Sequence, residues 1–216
     1  FYFTPMEKTD SSVLMALNFA NGAQFGIRYT LRPDNYVVHM EVVQKHMGRV
    51  LDSNNPMYFD WKQKMRRHEV DGMFEERNST LYYKFLGDDD PDYLSESSEE
   101  KENFTDAMKW VAAKNQYFSS VFIAQKQFSG MTLNSVPIDK NSTDFADYLK
   151  WLTVHSEIDY QTDSANPASF FLYLGPNRYK VLSNIDEMIN QYPGGEVSGS
   201  ADLHLTRLIP LGWALF

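Results

Sequence analysis

QFGIRYTLRPDNYVVHMEVV, residues 24–43, reads as two strands and a turn. Phe25, Ile27, Tyr29 and Leu31 alternate with Gln24, Gly26, Arg28 and Thr30. A period of two sends the two sets to opposite faces of a pleated strand. Arg32-Pro33-Asp34-Asn35 follows, with Pro33 fixing φ and Asp34 and Asn35 accepting tight backbone geometry. Tyr36, Val38, Met40 and Val42 then alternate with Val37, His39, Glu41 and Val43. The pattern predicts an antiparallel hairpin. His39 and Glu41 fall on one face, where they could form an acid/base pair; the expectation here is a polar, exposed face.

Working outward, the segment 13–19 predicts a strand before the hairpin. Segments 58–65, 80–86, 109–113, 117–124, 148–155 and 168–174 predict further strands. They are rich in Phe, Tyr, Trp, Val and Ile, which suit a pleated surface. Helical signals come late. Pro176 stands where a first helical residue can. Tyr179, Leu182, Ile185, Met188 and Ile189 recur at spacings of three and four, and Pro193-Gly194-Gly195 ends the run. A second amphipathic segment carries Leu203, Leu208, Leu211 and Leu215, interrupted by Pro210 and Gly212. Strands first and helices last predict a mainly β protein: a large antiparallel sandwich over residues 1–175 and a helical C-terminal tail over 176–216.

Composition narrows the function. The chain has 216 residues, 29 acidic against 20 basic, a net charge of −9, and no cysteine. The acidic balance disfavours nucleic acid and adsorption to anionic lipid. The missing thiols exclude disulfides, cysteine zinc sites, iron–sulfur clusters and a thiol nucleophile. The nine residues from Leu208 to Phe216 are too few for a bilayer span, which needs about 20. GDDDPDYLSESSEEKE, residues 87–102, holds eight carboxylates and one lysine. It lacks the sixth-position glycine and twelfth-position glutamate of a calcium loop. It reads as a solvated acidic insertion, near 87–106, between two strands.

The chemistry-bearing residues are sparse. His39, His46, His68, His155 and His204 form no HExxH or HxH pattern. His68 and Glu69 stand in a charged stretch, 62–77, that reads as surface. Neither a phosphate loop nor a GxSxG elbow is present, so no catalytic, cofactor or metal residue is assigned. Three N-x-S/T sequons, at Asn78, Asn103 and Asn141, acquire meaning only in a eukaryotic secretory context.

Two segments carry a family likeness. Trp110-Val111-Ala112 is followed by Gln116-Tyr117-Phe118 and 121–124; Leu172-Tyr173-Leu174-Gly175-Pro176 is followed by Leu211-Gly212-Trp213 and Phe216. In this order they resemble the periplasmic domain of the YidC family of bacterial membrane protein insertases, most strongly over 110–216. The resemblance implies an antiparallel β-supersandwich of the galactose-mutarotase type with C-terminal α-helices. It implies no mutarotase activity, because fold and function are separable. It implies a domain facing the periplasm from the bacterial inner membrane, with a membrane anchor before it and a transmembrane helix just after residue 216. Other parts of the insertase, Sec translocon subunits and nascent membrane proteins are the implied partners. Trp110, Gln116, Tyr117, Phe118, Gly175, Pro176, Leu182, Ile185, Gly212 and Trp213 are the motif and tail-docking residues it singles out. The competing reading is a carbohydrate-binding or aldose-epimerase-like sandwich, which requires a histidine within hydrogen-bonding reach of a glutamate in a concave groove.

Overall fold

A computed structural model describes residues 2–52, 56–70, 72–162, 164, 168–195 and 203–210. The hairpin forms at the predicted place: β3 (Gln24–Leu31) pairs antiparallel with β4 (Val37–Lys45), in register from Gln24 opposite Lys45 to Leu31 opposite Val38. Before it come β1 (Thr4–Lys8) and β2 (Ser12–Asn18). After it come β5 (Met57–Arg66), α1 (Gly72–Arg77), β6 (Thr80–Phe85), β7 (Asp92–Tyr93), β8 (Glu100–Lys114), β9 (Phe118–Pro137), β10 (Tyr148–Ile158) and β11 (Ser169–Pro176). Two short helices, α2 (Tyr179–Leu182) and α3 (Ile185–Ile189), and a 3-10 turn over Leu205–Leu208 complete the described chain.

All pairings are antiparallel, in the order β1-β2-β3-β4-β11-β9-β8-β6-β7, with β10 and then β5 branching from β9. The branch makes the sandwich. The first part of β9, to Ala124, pairs with β11, and the part from Phe128 onward pairs with β10. One strand thus passes from the larger layer into the smaller one. At the bend the carbonyls of Gln125 and Lys126 accept from Lys109 Nζ at 2.9 and 3.2 Å. Lys109 is fully buried. Burial, helped by the charge of Lys84, pushes its ammonium down to about 8. A bend in a strand frees ladder carbonyls, and unmet they would each cost about 1–3 kcal/mol. Gly130, with φ +74°, makes a second irregularity; a Cβ there would stand 3.1 Å from the Phe104 carbonyl oxygen.

Between the layers lies one apolar core, with Met65, Leu81, Val111, Phe122, Phe128, Leu133, Leu152 and Val154 among its members. The alternation read in 58–65 is realised, since Phe59 and Trp61 pack on this core while Tyr58 and Lys62 point outward. A second core covers the opposite face of the larger layer. It joins Val37, Trp110, Val121, Ile123, Phe171 and Tyr173 of the sheet to Leu182, Ile185, Ile189, Tyr192, Leu203, Leu205 and Leu208 of the C-terminal segment. The larger layer is therefore covered on both faces.

That double cover corrects the reading of His39. It is 1% exposed, not on a solvated face. Period two shows that the faces of β4 differ, but not that one of them meets water.

The acidic segment is likewise not a peripheral loop. Tyr93 of β7 pairs with Tyr82 and stacks on it at 4.8 Å, and Leu94 is buried in the inner core. β8 begins at Glu100, so the last acidic residues are already strand. Buried lysines hold the segment by its backbone: Lys84 Nζ donates to the Asp88 carbonyl at 2.6 Å and Lys150 Nζ to that of Glu96 at 2.7 Å. Burial pushes Lys150 down to about 8.

Two tail expectations also change. Pro176 ends β11 opposite Phe118 and does not start a helix. The single predicted helix is two short ones, and Tyr179 is exposed, outside the buried stripe.

Candidate functional site

The site is built where the C-terminal segment lies on the larger sheet. Leu182, Ile185, Ile189 and Tyr192 recur at spacings of three and four, and all four are buried. The expected stripe holds through Leu182 and Ile185. It continues to Tyr192, which the sequence reading left out although the same spacing reaches it.

Polar contacts fix the register of the docking. Trp110, fully buried, donates its Nε1–H to the Leu203 carbonyl at 2.8 Å. Gln125 Nε2 donates to the Gly194 carbonyl at 2.8 Å, and Asn35 Nδ2 to that of Met188 at 3.0 Å. The Tyr192 hydroxyl donates to the Val37 carbonyl and accepts the Arg32 N–H at 3.1 Å. His39 lies beneath, stacked on Phe171 at 4.8 Å and 5.3 Å from the Tyr192 ring. Its Nε2 meets the Ser169 hydroxyl at 2.8 Å, and Glu41 Oε2 is 3.8 Å from Nδ1. Burial holds the imidazole below its usual pKa, and Glu41 opposes that shift in part.

The second half of the site is the β8–β9 turn. Trp110 lies in β8, while Gln116 and Tyr117 form the turn and Phe118 opens β9. Gln116 Nε2 donates to the Tyr117 hydroxyl at 3.1 Å, and that hydroxyl donates to Glu69. Asn177 clamps this turn to the end of β11: its N–H donates to the Tyr117 carbonyl at 2.7 Å and its Nδ2 to that of Asn115 at 2.6 Å. Gly175 is there because Tyr173 crosses it. The Tyr173 hydroxyl donates to the Pro176 carbonyl at 2.7 Å, and a Cβ on Gly175 would fall 2.5 Å from that hydroxyl. The Gly-Pro pair thus lets a tyrosine close the strand end. The structure brings Gln116, Tyr117, Phe118, Gly175 and Pro176 together. It places Trp110, Leu182 and Ile185 in the docking core. Gly212 and Trp213 lie outside the described residues.

Histidine–carboxylate pairs do occur. His68 Nδ1 is 2.8 Å from Glu75 Oε1, and His155 Nδ1 is 2.9 Å from Asp60 Oδ1. Glu75 is fully buried. Burial acts to raise its pKa, but bonds from the His68 backbone and ring, the Glu69 N–H and Asn115 prevail and hold it below the carboxylate range. With its oxygens committed to those donors it acts as a strut tying α1 to the β8–β9 turn. The cavity at the β9 bend, lined by Ala124, Lys126, Ile158, Asp159 and Phe170 among others, has no histidine. Among the described residues no cluster of three histidines or carboxylates could hold a metal, and no helix is long and apolar enough to cross a membrane.

These features define a class: an antiparallel β-sandwich faced on one side by its own C-terminal segment, with the buried Glu75 used as a strut. Comparison with known proteins gives the family. Residues 3–216 match the model described as the YidC periplasmic domain. Membrane protein insertases YidC of Parabacteroides distasonis and of Bacteroides fragilis (strain ATCC 25285) are 33% and 34% identical to the chain. That of Porphyromonas gingivalis (strain W83) is 30% identical. Each alignment covers 100% of this chain and 32% of the relative, so the chain spans about a third of the curated relatives it matches. A galactose mutarotase related enzyme from Lactobacillus acidophilus aligns over 80% of this chain and 70% of its own, at 13% identity. Its TM-score of 0.29 is too low to carry an argument. The chain belongs to the YidC periplasmic domain family.

Proposed function

We propose that this domain is a non-catalytic accessory module of a bacterial inner-membrane insertase. It aids insertion and folding of membrane proteins from the periplasmic side by contacting Sec translocon subunits or nascent chains. The observation that carries the reading is the C-terminal segment docked as a layer on the sheet through seven buried side chains, from Leu182 to Leu208. In the family this segment leads toward the membrane-embedded part. A rigid junction there fixes the height and orientation of the sandwich over the bilayer, and a flexible one would not. The helical turns supply little stability of their own, since helices this short are marginal in water; their order comes from the sheet face.

The test is complementation in cells depleted of their own insertase, using the full-length protein. Leu182→Asp and Ile185→Asp should reduce insertion of a reporter membrane protein at unchanged insertase level. Normal insertion by both variants would overturn the coupling role.

A further inference from the structure

The smaller layer covers only part of the larger one. β10 comes close to β6 and α1, while Phe59 and Trp61 of β5 meet the Phe122 ring at 4.7 and 5.0 Å, and Phe59 reaches Phe170 at 6.4 Å. β5 therefore ends the smaller layer above β9 and β11. Beneath that layer the inward side chains of the larger sheet are buried, as Leu81, Val111 and Phe122 are. Past β5 the same face runs on. Leu172 stands opposite Val38, Met40 opposite Tyr29, and Ile27 opposite Met15, across β11, β4, β3 and β2. All six stay half-buried. They make an apolar floor continuous with the inner core, against which Met40 and Leu172 already pack.

The wall of this groove is an open strand edge. β5 pairs with β10 alone. The Arg67 N–H donates toward β10, to the Asp147 carbonyl at 2.8 Å. Alternation along the strand then turns the N–H and C=O of Tyr58, Asp60, Lys62, Lys64 and Arg66 away from β10. The Arg66 carbonyl accordingly accepts from Asn115 Nδ2, at 3.3 Å, on the far side. β5 runs for ten residues with neither proline nor glycine. The end strands of the larger layer are blunted by comparison: β1 carries Pro5 and a register shift, and β7 has two residues. The inward Phe59 and Trp61 are only half-buried, whereas Leu152 and Val154 of β10 are buried. One more strand beside β5 would cover both rings and the floor.

We propose that the groove binds an extended polypeptide segment as an added antiparallel strand on β5. The edge supplies main-chain hydrogen bonds, and the floor takes apolar side chains at alternate positions. The intervening side chains rise beside the outer row of β5. In that row Asp60 pairs with His155 and Lys64 with Asp144, while Lys62 and Arg66 make no ion pair among the described residues. Acidic residues opposite those two cations complete the match. Such a site gives the contact with nascent chains proposed above a place and a mode, and rests on that reading. Failure of the peptide test below strikes the groove alone, and failure of complementation strikes the accessory role.

The probe is a fluorescein-labelled peptide of alternating valine and glutamate, as long as β5, titrated with the chain and followed by anisotropy. Saturable binding should appear below about 1 mM. In an antiparallel pairing the glutamates share the face of Lys62 and Arg66, so their amides point at the β5 edge and the valine amides point away. N-methylation of the glutamate amides should therefore weaken binding at least about tenfold, and N-methylation of the valine amides should leave it within about twofold. Lys62→Glu with Arg66→Glu should weaken binding of the glutamate peptide by about tenfold. The same variant should bind a peptide with lysine in place of glutamate more tightly than the parent does, which also shows that it folds. No saturable binding up to about 1 mM, a glutamate-methylated peptide that binds like the unmodified one, or a charge-reversed variant that still prefers glutamate overturns the proposal.

Discussion

Placing an aspartate at Leu182 tests whether the C-terminal segment is part of the folded unit. Leu182 is 1% exposed and Ile185 3%, and both sit against sheet residues such as Trp110, Phe171 and Tyr173. Losing the leucine removes about 2–3 kcal/mol of apolar burial. A carboxyl in its place must remain protonated, and raising its pKa by 3–5 units costs about 4–7 kcal/mol at neutral pH. Together these approach the 5–15 kcal/mol that holds a typical domain folded. The segment must then leave the sheet, exposing a face built for burial, or the domain must unfold. Leu182→Ala, with a cavity and no charge, should cost about 2–5 kcal/mol. Thermal unfolding followed by tryptophan fluorescence suits the question, because Trp110 lies under the segment. The aspartate variant should melt on the order of 15 °C or more below the parent, since each kcal/mol shifts a domain of this size by about 2–4 °C. An aspartate variant that melts within about 2 °C of the parent refutes the reasoning.

Leu94→Ala should cost about 2–5 kcal/mol in urea unfolding, because the acidic segment anchors in the inner core; a change below about 0.5 kcal/mol would return that segment to a solvated loop. Gly175→Ala should displace Tyr173 and lower the melting temperature by several degrees, and a neutral result would mean that the strand end relaxes without loss. His39 is held below its unfolded pKa of about 6.5, so the unfolded chain takes up the extra proton first; the stabilisation is complete above about pH 6.5 and is lost as pH falls. Urea midpoints measured down from neutral pH should show that loss in the parent and a flatter slope in His39→Gln, whereas equal slopes contradict the assignment. Glucose and galactose should not mutarotate in the presence of the chain; polarimetry showing turnover that disappears in His39→Ala or His155→Ala would contradict the non-catalytic reading.

What was legible in the sequence follows from which forces act locally. The hairpin at 24–43 was legible because alternation and a Pro-Asp-Asn turn act within a few residues. β9 was legible only to Ala124. Beyond it, the bend at 125–127 and the bulge at Gly130 break the period, so the buried Phe128 is out of step with Met131 and Leu133, which alternate only after the bulge. His39 was misread because its cover arrives from Tyr192, 153 positions away in the chain. The acidic segment was misread for a similar reason: its carboxylates are visible in sequence, but the buried Lys84 and Lys150 that bind its carbonyls are not. In the site, Gly175, Pro176, Leu182 and Ile185 could be singled out from motif and spacing. Asn177, which clamps the β8–β9 turn, has no local signature, and Tyr192, which carries one of the polar docking contacts, has none beyond the continued apolar spacing. α1 went unread because six residues with two exposed hydrophobics make no stripe.

The central claim is that the C-terminal segment forms a layer of the domain. Its most direct reporter is the indole N–H of Trp110, which donates to the Leu203 carbonyl across the docked interface at 2.8 Å. Exchange of that proton with deuterated solvent, followed by NMR, should be as slow as exchange of the core amides of β8 and β9. An indole proton that exchanges at once while those amides stay protected would mean that the segment does not rest on the sheet.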